Sequence, residues 1–140
     1  MELRMDAGGI MDFADEVFPQ VRGDFAIEAL EPGRLVLRLQ IEERHLRPGG
    51  TVSGPSMFAL ADCAAYFLTL AHIGPVALAV TTSANLDFMR KPAAGVDLLC
   101  EARMLKLGRL LSVCDMLITS EGDARPVARA SMTYAIPPER

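Results

Sequence analysis

A single acidic residue, Asp62, interrupts an otherwise apolar run of the sequence from Met57 to Ile73. A helix that is apolar nearly all round is normally buried. A carboxylate there costs several kcal/mol to desolvate unless it is paired or protonated. Such an acid can serve as a general base or a nucleophile, so Asp62 is the leading candidate for chemistry. The alternative is a structural acid, paired within the protein or across a dimer interface.

The segment RPGGTVSGP precedes this run and predicts a sharp turn into the helix. Ser53 or Gly54 is expected to cap the helix, and Pro55 suits its first turn because the missing N–H does no harm there. Amide groups at the start of a helix, together with the positive end of its dipole, can also polarise a carbonyl oxygen. Capping and oxyanion binding are compatible, so both remain open for Ser53 and Gly54.

A short helix and several strands must position these residues. The segment 10–18 has the pattern of an amphipathic helix that ends before Pro19. The segment 34–41 alternates apolar with mainly polar residues, which predicts a half-buried strand. Further strands are predicted over 25–30, 78–88, 96–106, 110–119 and 127–135. Their short connections favour antiparallel hairpins.

This order of elements predicts an α+β fold, in which an antiparallel sheet wraps around one long central helix. The 140 residues fit a single domain, 1–140, with an N-terminal helical segment at 1–20 and a frayed tail at 136–140. A sheet covers only one flank of such a helix, so we expect a dimer.

The composition limits the classes of function. Hydrophobic residues make up 51% and charged residues 23%, which is typical of a globular protein, and the net charge of −4 argues against a nucleic-acid partner. Cys63, Cys100 and Cys114 form no CxxC pair, which predicts reduced, buried thiols in a cytoplasmic protein. The start has no apolar signal-peptide core, and Asp62 disfavours a membrane span over 57–73. No metal-ligand spacing stands out.

The stretch RPGGTVSGPSMFALADCAAY, followed later by TTSANLDFMRKPA, resembles the hotdog-fold thioesterases, in particular the PaaI-like acyl-CoA thioesterases. The likeness runs from about residue 25 to about residue 135. In that family a His-Gly-Gly turn precedes a helix that carries an acid eight residues after the first glycine. Here Asp62 lies eight residues after Gly54. The resemblance implies a hotdog fold and acyl-CoA hydrolysis, with coenzyme A as part of the substrate and no other cofactor.

The resemblance also implies roles for single residues. Asp62 would act as general base on a water or as nucleophile on the thioester carbonyl, and the Gly54 N–H would polarise the carbonyl oxygen. Thr82, counted back from Pro92, falls where some members keep a hydroxyl that orients the water. In such enzymes the glycine and the acid come from opposite subunits of a homodimer, and the dimers often assemble into homotetramers.

Three positions depart from the family pattern. Ser53 stands in place of the family histidine, and Pro55 in place of the second glycine, which removes a backbone donor. Arg47 aligns with an Asn or Gln of some members and could bind a water, the carbonyl or a substrate phosphate. Four other basic residues could hold the phosphates of coenzyme A or be ordinary solvated turn charges. They are Arg90, Lys91, Lys106 and Arg109.

Other side chains have less direct roles. His45 is expected to be an exposed loop residue without a catalytic role, and His72 a structural residue that complements the dipole at the end of the helix. Phe58, Tyr66 and Met57 are expected in the core rather than in an acyl pocket.

Two other functions remain open. The altered Ser53-Gly54-Pro55 turn is compatible with a non-catalytic acyl-CoA binding or sensor module. A hotdog hydratase or dehydratase would pair a histidine with a carboxylate, and the lone loop residue His45 makes that function less favoured.

Overall fold

The structure, a computed structural model, describes residues 1–138. Helix α1 spans Ala7–Val17 and the long helix α2 spans Gly54–Ile73, with short 3-10 turns at Pro19–Val21 and Glu43–His45. The strands are β1 (Phe25–Glu31), β2 (Arg34–Leu39), β3 (Val80–Phe88), β4 (Leu98–Leu107), β5 (Leu111–Ser120) and β6 (Pro126–Ala135).

The strands form one antiparallel sheet in the order β1-β2-β4-β5-β6-β3. Helix α2 packs against the inward face of that sheet, chiefly against the central strands β2, β4, β5 and β6. This arrangement is the α+β hotdog fold, so the predicted fold class is confirmed. It leaves β3 at one edge of the sheet, a position that matters for the site.

The core lies between the sheet and α2. In β2 the alternating residues Leu35, Leu37 and Leu39 are at most 1% exposed, as the period-two pattern predicts. On α2, Phe67 is fully buried and meets Phe25 edge to face with ring centroids 6.4 Å apart. Helix α2 is long and apolar enough to cross a membrane, but 72% of its apolar window is buried inside the fold. It is therefore the core helix of a soluble-type domain.

Helix α1 begins three residues earlier than the predicted start at 10. Asp6 caps it, because its carboxylate accepts a hydrogen bond of 2.7 Å from the Gly9 N–H. The sequence does not predict this start because the first turn contains two glycines, which are unfavourable in helix interiors. The residues before α1 close the far end of α2, where the Arg4 N–H donates to the Ala71 carbonyl at 2.6 Å.

The predicted strands agree with the observed ones to within a few residues at each end. Strand β4 starts at Leu98, two residues after the predicted start. Just before it, the Asp97 side chain accepts a hydrogen bond from the Ile41 N–H at 3.0 Å. In the expected tail 136–140, Ile136 is 3% exposed and its N–H donates to the Leu110 carbonyl at 2.8 Å. The last two residues of that tail, 139–140, lie outside the described residues.

Candidate active site

Asp62 is half-buried on α2, and two hydroxyl groups hold it by one oxygen. The Thr81 hydroxyl donates to Asp62 Oδ1 at 2.6 Å, and the Tyr134 hydroxyl donates to the same oxygen at 2.8 Å. Within residues 1–138, Oδ2 accepts no hydrogen bond from the protein. The sequence predicts a buried acid, but the single chain leaves this carboxylate partly exposed, with one oxygen available.

The sheet brings the two hydroxyl groups together. Thr81 and Tyr134 are directly opposite each other in the β3–β6 ladder, and opposite residues of an antiparallel pair project from the same face. In β6, Ala130, Met132 and Tyr134 alternate inward and are at most 7% exposed. Burial, with the Asp62 charge adding to it, raises the pKa of Tyr134. Its hydroxyl therefore stays protonated and acts as a donor.

The family resemblance predicts the hydroxyl at Thr82, but the structure brings Thr81 to Asp62. The β3–β6 register shifts between Thr81 and Ser83, and such an irregularity redirects side chains. Thr82 is exposed, and its hydroxyl donates to the Thr133 carbonyl at 3.4 Å. Counting back from a proline cannot detect this irregularity. Tyr134 was missed as well, although its inward position in an alternating strand and its need for a hydroxyl partner were a usable signal.

The start of α2 leaves one amide group available. Ser53 is the N-cap: its hydroxyl accepts from the Ser56 N–H at 3.3 Å and its carbonyl from the Met57 N–H at 3.1 Å. Pro55, in the first turn, has no N–H. In the described part of the chain, the Gly54 N–H is thus the remaining unbonded donor of this turn. It lies at the positive end of the helix dipole, where a developing oxyanion is stabilised.

Apolar side chains flank this amide. Phe58, Leu86 and Phe88, which we call the apolar shelf, line a shallow depression beside Gly54 and Pro55. A Cβ atom added to Gly54 would lie 3.3 Å from the Phe88 ring, so a larger residue at this position would push the ring away from the amide.

The expected core position of Phe58 is wrong, because this side chain is 41% exposed. Met57 and Tyr66 are 5% and 6% exposed, and their expected places in the core are confirmed. Phe58 is therefore part of the surface around Gly54, whereas its two companions support α2 from within.

His45 is buried rather than exposed, which corrects the sequence expectation. Its Nδ1 accepts from the Glu42 N–H at 2.9 Å, and its Nε2 lies 3.2 Å from Asp24 Oδ1. Its carbonyl accepts the Ser53 N–H at 2.8 Å. His45 therefore fixes the loop that leads to the N-cap of α2.

His72, near the end of α2, joins three parts of the backbone. Its Nε2 accepts from the Gly33 N–H at 3.0 Å, and its Nδ1 lies 2.7 Å from the Glu2 carbonyl. Because Nε2 is an acceptor, Nδ1 carries the ring proton and donates a hydrogen bond to the Glu2 backbone carbonyl. The ring is thus structural, as predicted, but through hydrogen bonds rather than through a charge on the helix dipole.

The predicted phosphate-binding residues are exposed and lie in separate places. Arg47 lies in the loop before α2, and Arg90 and Lys91 come shortly after β3, at its Phe88 end. Lys106 lies near the end of β4, and Arg109 lies in the β4–β5 turn. That turn is at the same margin of the sheet as the start of β3, because Ala135 pairs with both Val80 and Leu111.

The three cysteines are free and buried, at most 4% exposed. Burial raises the pKa of all three thiols, that of Cys114 to about 12. A protonated, buried thiol is neither a nucleophile nor a metal ligand. Cys63, although next to Asp62 in sequence, is therefore part of the core.

Comparison with known proteins identifies the family. Residues 49–127, more than half of the chain, match the Thioesterase superfamily. A crystal structure of a thioesterase candidate from Silicibacter sp. TM1040 is 62% identical, with 99% of this chain and 96% of that chain covered and a TM-score of 0.93. A mutant of the phenylacetic acid degradation protein PaaI from Thermus thermophilus is 28% identical, with 85% and 99% covered and a TM-score of 0.72.

A curated relative points the same way. Human acyl-coenzyme A thioesterase 13 is 25% identical over 117 residues, which are 83% of this chain and 82% of that protein. These likenesses support a thioesterase enzyme and agree with the resemblance seen in the sequence. The chain belongs to the thioesterase superfamily.

Proposed function

We propose that this protein hydrolyses acyl-CoA thioesters to the free acid and coenzyme A. In this proposal Asp62 acts as general base or nucleophile, and the Gly54 N–H polarises the thioester carbonyl. The observation that carries the proposal is the matched pair of unsatisfied groups: one open carboxylate oxygen and one unbonded helix-start amide. The acyl-coenzyme A thioesterase among the relatives supports the substrate class.

The two groups supply the chemistry that an activated thioester needs. The amide polarises the carbonyl oxygen and stabilises the negative charge that develops on it. As general base, Asp62 Oδ2 takes a proton from water while the water oxygen bonds to the carbonyl carbon. The C–S bond then breaks and the proton passes to the departing CoA sulfur. As nucleophile, the same oxygen would bond to the carbonyl carbon and expel the CoA thiolate, and water would hydrolyse the resulting anhydride to the free acid and the Asp62 carboxylate.

One chain cannot complete this site. Gly54 and Asp62 are eight residues apart on one helix, which is a rise of about 12 Å. A carbonyl oxygen bonded to the Gly54 N–H is thus out of reach of the Asp62 carboxylate of the same chain. The two groups meet only if a second copy of the chain provides one of them.

Strand β3 provides the surface for that second copy. Among residues 1–138 it pairs with β6 alone, along one side, and seven of its nine residues are exposed, with Val80 at 56% and Phe88 at 55%. An edge strand of this length with one side open is a template for another strand. We therefore propose a homodimer in which β3 pairs with β3 of the second copy, extending the sheet across the interface.

The geometry of β3 then assembles the site. Its Phe88 end lies against Gly54, and its Thr81 end lies against Asp62. Antiparallel self-pairing about a two-fold axis at Asn85 places Phe88 of one copy beside the irregularity at Thr81 and Thr82 of the other. Gly54 of one copy thus comes beside Asp62 of the other, and the dimer has two such sites.

The remaining predicted residues find roles around the composite site. Arg90 and Lys91 lie at the Gly54 end of β3, whereas Lys106 and Arg109 lie toward its Asp62 end, three strands or about 14 Å away. In the dimer these two basic groups, one from each copy, flank the site and can hold the phosphates of coenzyme A. We propose that Arg47, in the loop before α2, contacts the same substrate.

The acyl group is proposed to lie on the apolar shelf beside Gly54. The shelf carries almost no polar surface, so a medium-chain or aromatic acyl group buries apolar area there, whereas an acetyl group does not reach it. Ser53 supports the amide as its N-cap, and Thr81 now stands where Thr82 was expected to hold the hydroxyl.

Two further assignments complete the proposal. The outer face of the sheet alternates charges, with Arg103 opposite Asp115 and Leu117 exposed between charged rows, and such a self-complementary face suits the pairing of dimers into a homotetramer. Three reduced, buried thiols suit a cytoplasmic protein.

A non-catalytic acyl-CoA binding module is the second candidate, because Pro55 removes one of the amides at the helix start. A hydratase is disfavoured, because both nitrogens of His45 are engaged by Glu42 and Asp24.

The test is hydrolysis of an acyl-CoA series, with acetyl, medium-chain, long-chain and aromatic acyl groups, by the wild type beside Asp62→Asn. Release of coenzyme A is followed by a method that does not count protein thiols. Turnover that collapses in the variant supports the proposal. Undiminished turnover in the variant contradicts the role of Asp62, and binding without turnover in the wild type favours the sensor.

A further inference from the structure

The Tyr134 hydroxyl makes two contacts with the same residue. It lies 2.8 Å from Asp62 Oδ1 and 3.1 Å from the Asp62 backbone carbonyl. Its ring is 4% exposed and stacks on Tyr66, with centroids 5.8 Å apart and planes 23° apart. This phenol is therefore fixed by its own packing before it meets the carboxylate.

We propose that Tyr134 is a positioning residue for thioester hydrolysis, which holds Asp62 by Oδ1 so that Oδ2 faces the reacting water or carbonyl. The inference rests on the proposed function, since it concerns the same carboxylate. It goes further by assigning different tasks to the two oxygens and by adding a residue from β6 to the site.

The arrangement selects one orientation of the carboxylate. A carboxylate with a single bonded neighbour can turn about its side-chain torsions, whose rotation is soft. Here Tyr134 from β6 and Thr81 from β3 bind the same oxygen from two strands, which removes that freedom. Placement of a general base within hydrogen-bond reach of the proton it takes is the first requirement of its action.

The titratable groups around Asp62 are Tyr134 on β6, Tyr66 on α2 and Cys63 on α2. Burial raises the pKa of all three. They stay protonated in the working range, so Tyr134 remains a hydrogen-bond donor to the carboxylate.

Tyr134→Phe tests the inference, and Tyr66→Phe is its matched control. Both changes remove one hydroxyl from the same stacked pair, but the Tyr66 hydroxyl donates to the Ala77 carbonyl at 3.0 Å and not to Asp62. For Tyr134→Phe we expect kcat to fall about 10- to 100-fold with KM nearly unchanged. For Tyr66→Phe neither quantity moves by more than about twofold.

A readout without substrate separates this inference from the proposed function. The carboxyl carbons of Asp-labelled protein are observed by NMR, with the Asp62 signal assigned by its loss in Asp62→Asn. A displaced Asp62 signal in Tyr134→Phe and an unchanged one in Tyr66→Phe support the inference, even if no acyl-CoA is hydrolysed. An unchanged signal and an unchanged kcat in a folded Tyr134→Phe overturn it. Activity that survives Asp62→Asn contradicts the proposed function instead.

Discussion

The two halves of helix α2 differ in how completely their polar groups are hydrogen-bonded. In the second half, the Thr69 hydroxyl donates to the Ala65 carbonyl at 2.8 Å and lies 2.6 Å from Ser112 Oγ, and both nitrogens of His72 are bonded. In the first half, Asp62 uses one oxygen, and in the described part of the chain the Gly54 N–H has no acceptor. The first half is also the more exposed one.

This difference indicates that the polar groups of the second half have a structural role and those of the first half a functional one. Buried polar groups are almost always hydrogen-bonded, and those the chain satisfies itself stabilise the fold. Groups that remain half-satisfied beside an exposed strand edge are available to a second copy and to a substrate. The comparison predicts that substitutions in the first half affect activity, whereas substitutions in the second half affect stability.

The largest effect is expected from Asp62→Asn, set against Thr69→Val. The amide keeps the shape of the carboxylate but cannot take a proton, so kcat should fall by about 10²- to 10⁴-fold while the melting temperature changes little. Thr69→Val leaves Ser112 without its partner and should cost about 1–3 kcal/mol of unfolding free energy. Kinetics and thermal unfolding of both variants check this pair, and an exchange of the two phenotypes would refute the comparison.

His72→Leu should weaken the fold at the second half. The substitution leaves the Gly33 N–H and the Glu2 carbonyl without a partner, and we expect a loss of about 2–4 kcal/mol of unfolding free energy. Chemical denaturation measures the loss. The folded fraction should keep its kcat/KM, so a stable but inactive variant would place His72 in the chemistry instead.

The neighbouring threonines of β3 offer a sharper contrast. Thr81→Val removes a donor to Asp62, and kcat should fall about tenfold. Thr82→Val removes only a long bond of an exposed side chain, and kcat should stay within about twofold of the wild type. Steady-state kinetics at one pH suffice, and equal losses in both variants would show that the hydroxyl on Asp62 is not used.

The smallest effect concerns the cysteines. Burial raises the pKa of each thiol, that of Cys114 to about 12, so the thiolate fraction is negligible at pH 8. A thiol reagent should therefore react slowly with the native protein and rapidly with three groups after denaturation. Fast native labelling of even one cysteine would show that its surroundings open in solution.

Much of the fold could be predicted from the sequence, because local patterns decide it. The alternation in β2 and the apolar run of α2 gave the sheet and the central helix, and the spacing from Gly54 to Asp62 pointed to the family. The start of α1 was displaced because Asp6 caps a turn that contains two glycines.

The details of the site depend on contacts between distant segments, which no local pattern contains. An irregularity in β3 turns Thr81 instead of Thr82 toward Asp62. Tyr134, which is 72 residues away in the sequence, also binds Asp62. His45 is buried because Asp24 lies beside it. In each case the deciding neighbour comes from another strand or loop.

The most direct test of the central claim, that each site combines Gly54 of one copy with Asp62 of another, is complementation between two inactive variants. Gly54→Leu blocks the amide, since even a Cβ there would lie 3.3 Å from Phe88, and Asp62→Asn removes the base. Each homodimer is first checked for size, thermal stability and inactivity, and the two are then co-expressed.

A mixed dimer has one intact site of two, and random mixing gives mixed dimers half of the time. The account predicts recovery of about one quarter of the wild-type specific activity. A mixed dimer that forms but stays inactive would contradict the shared site.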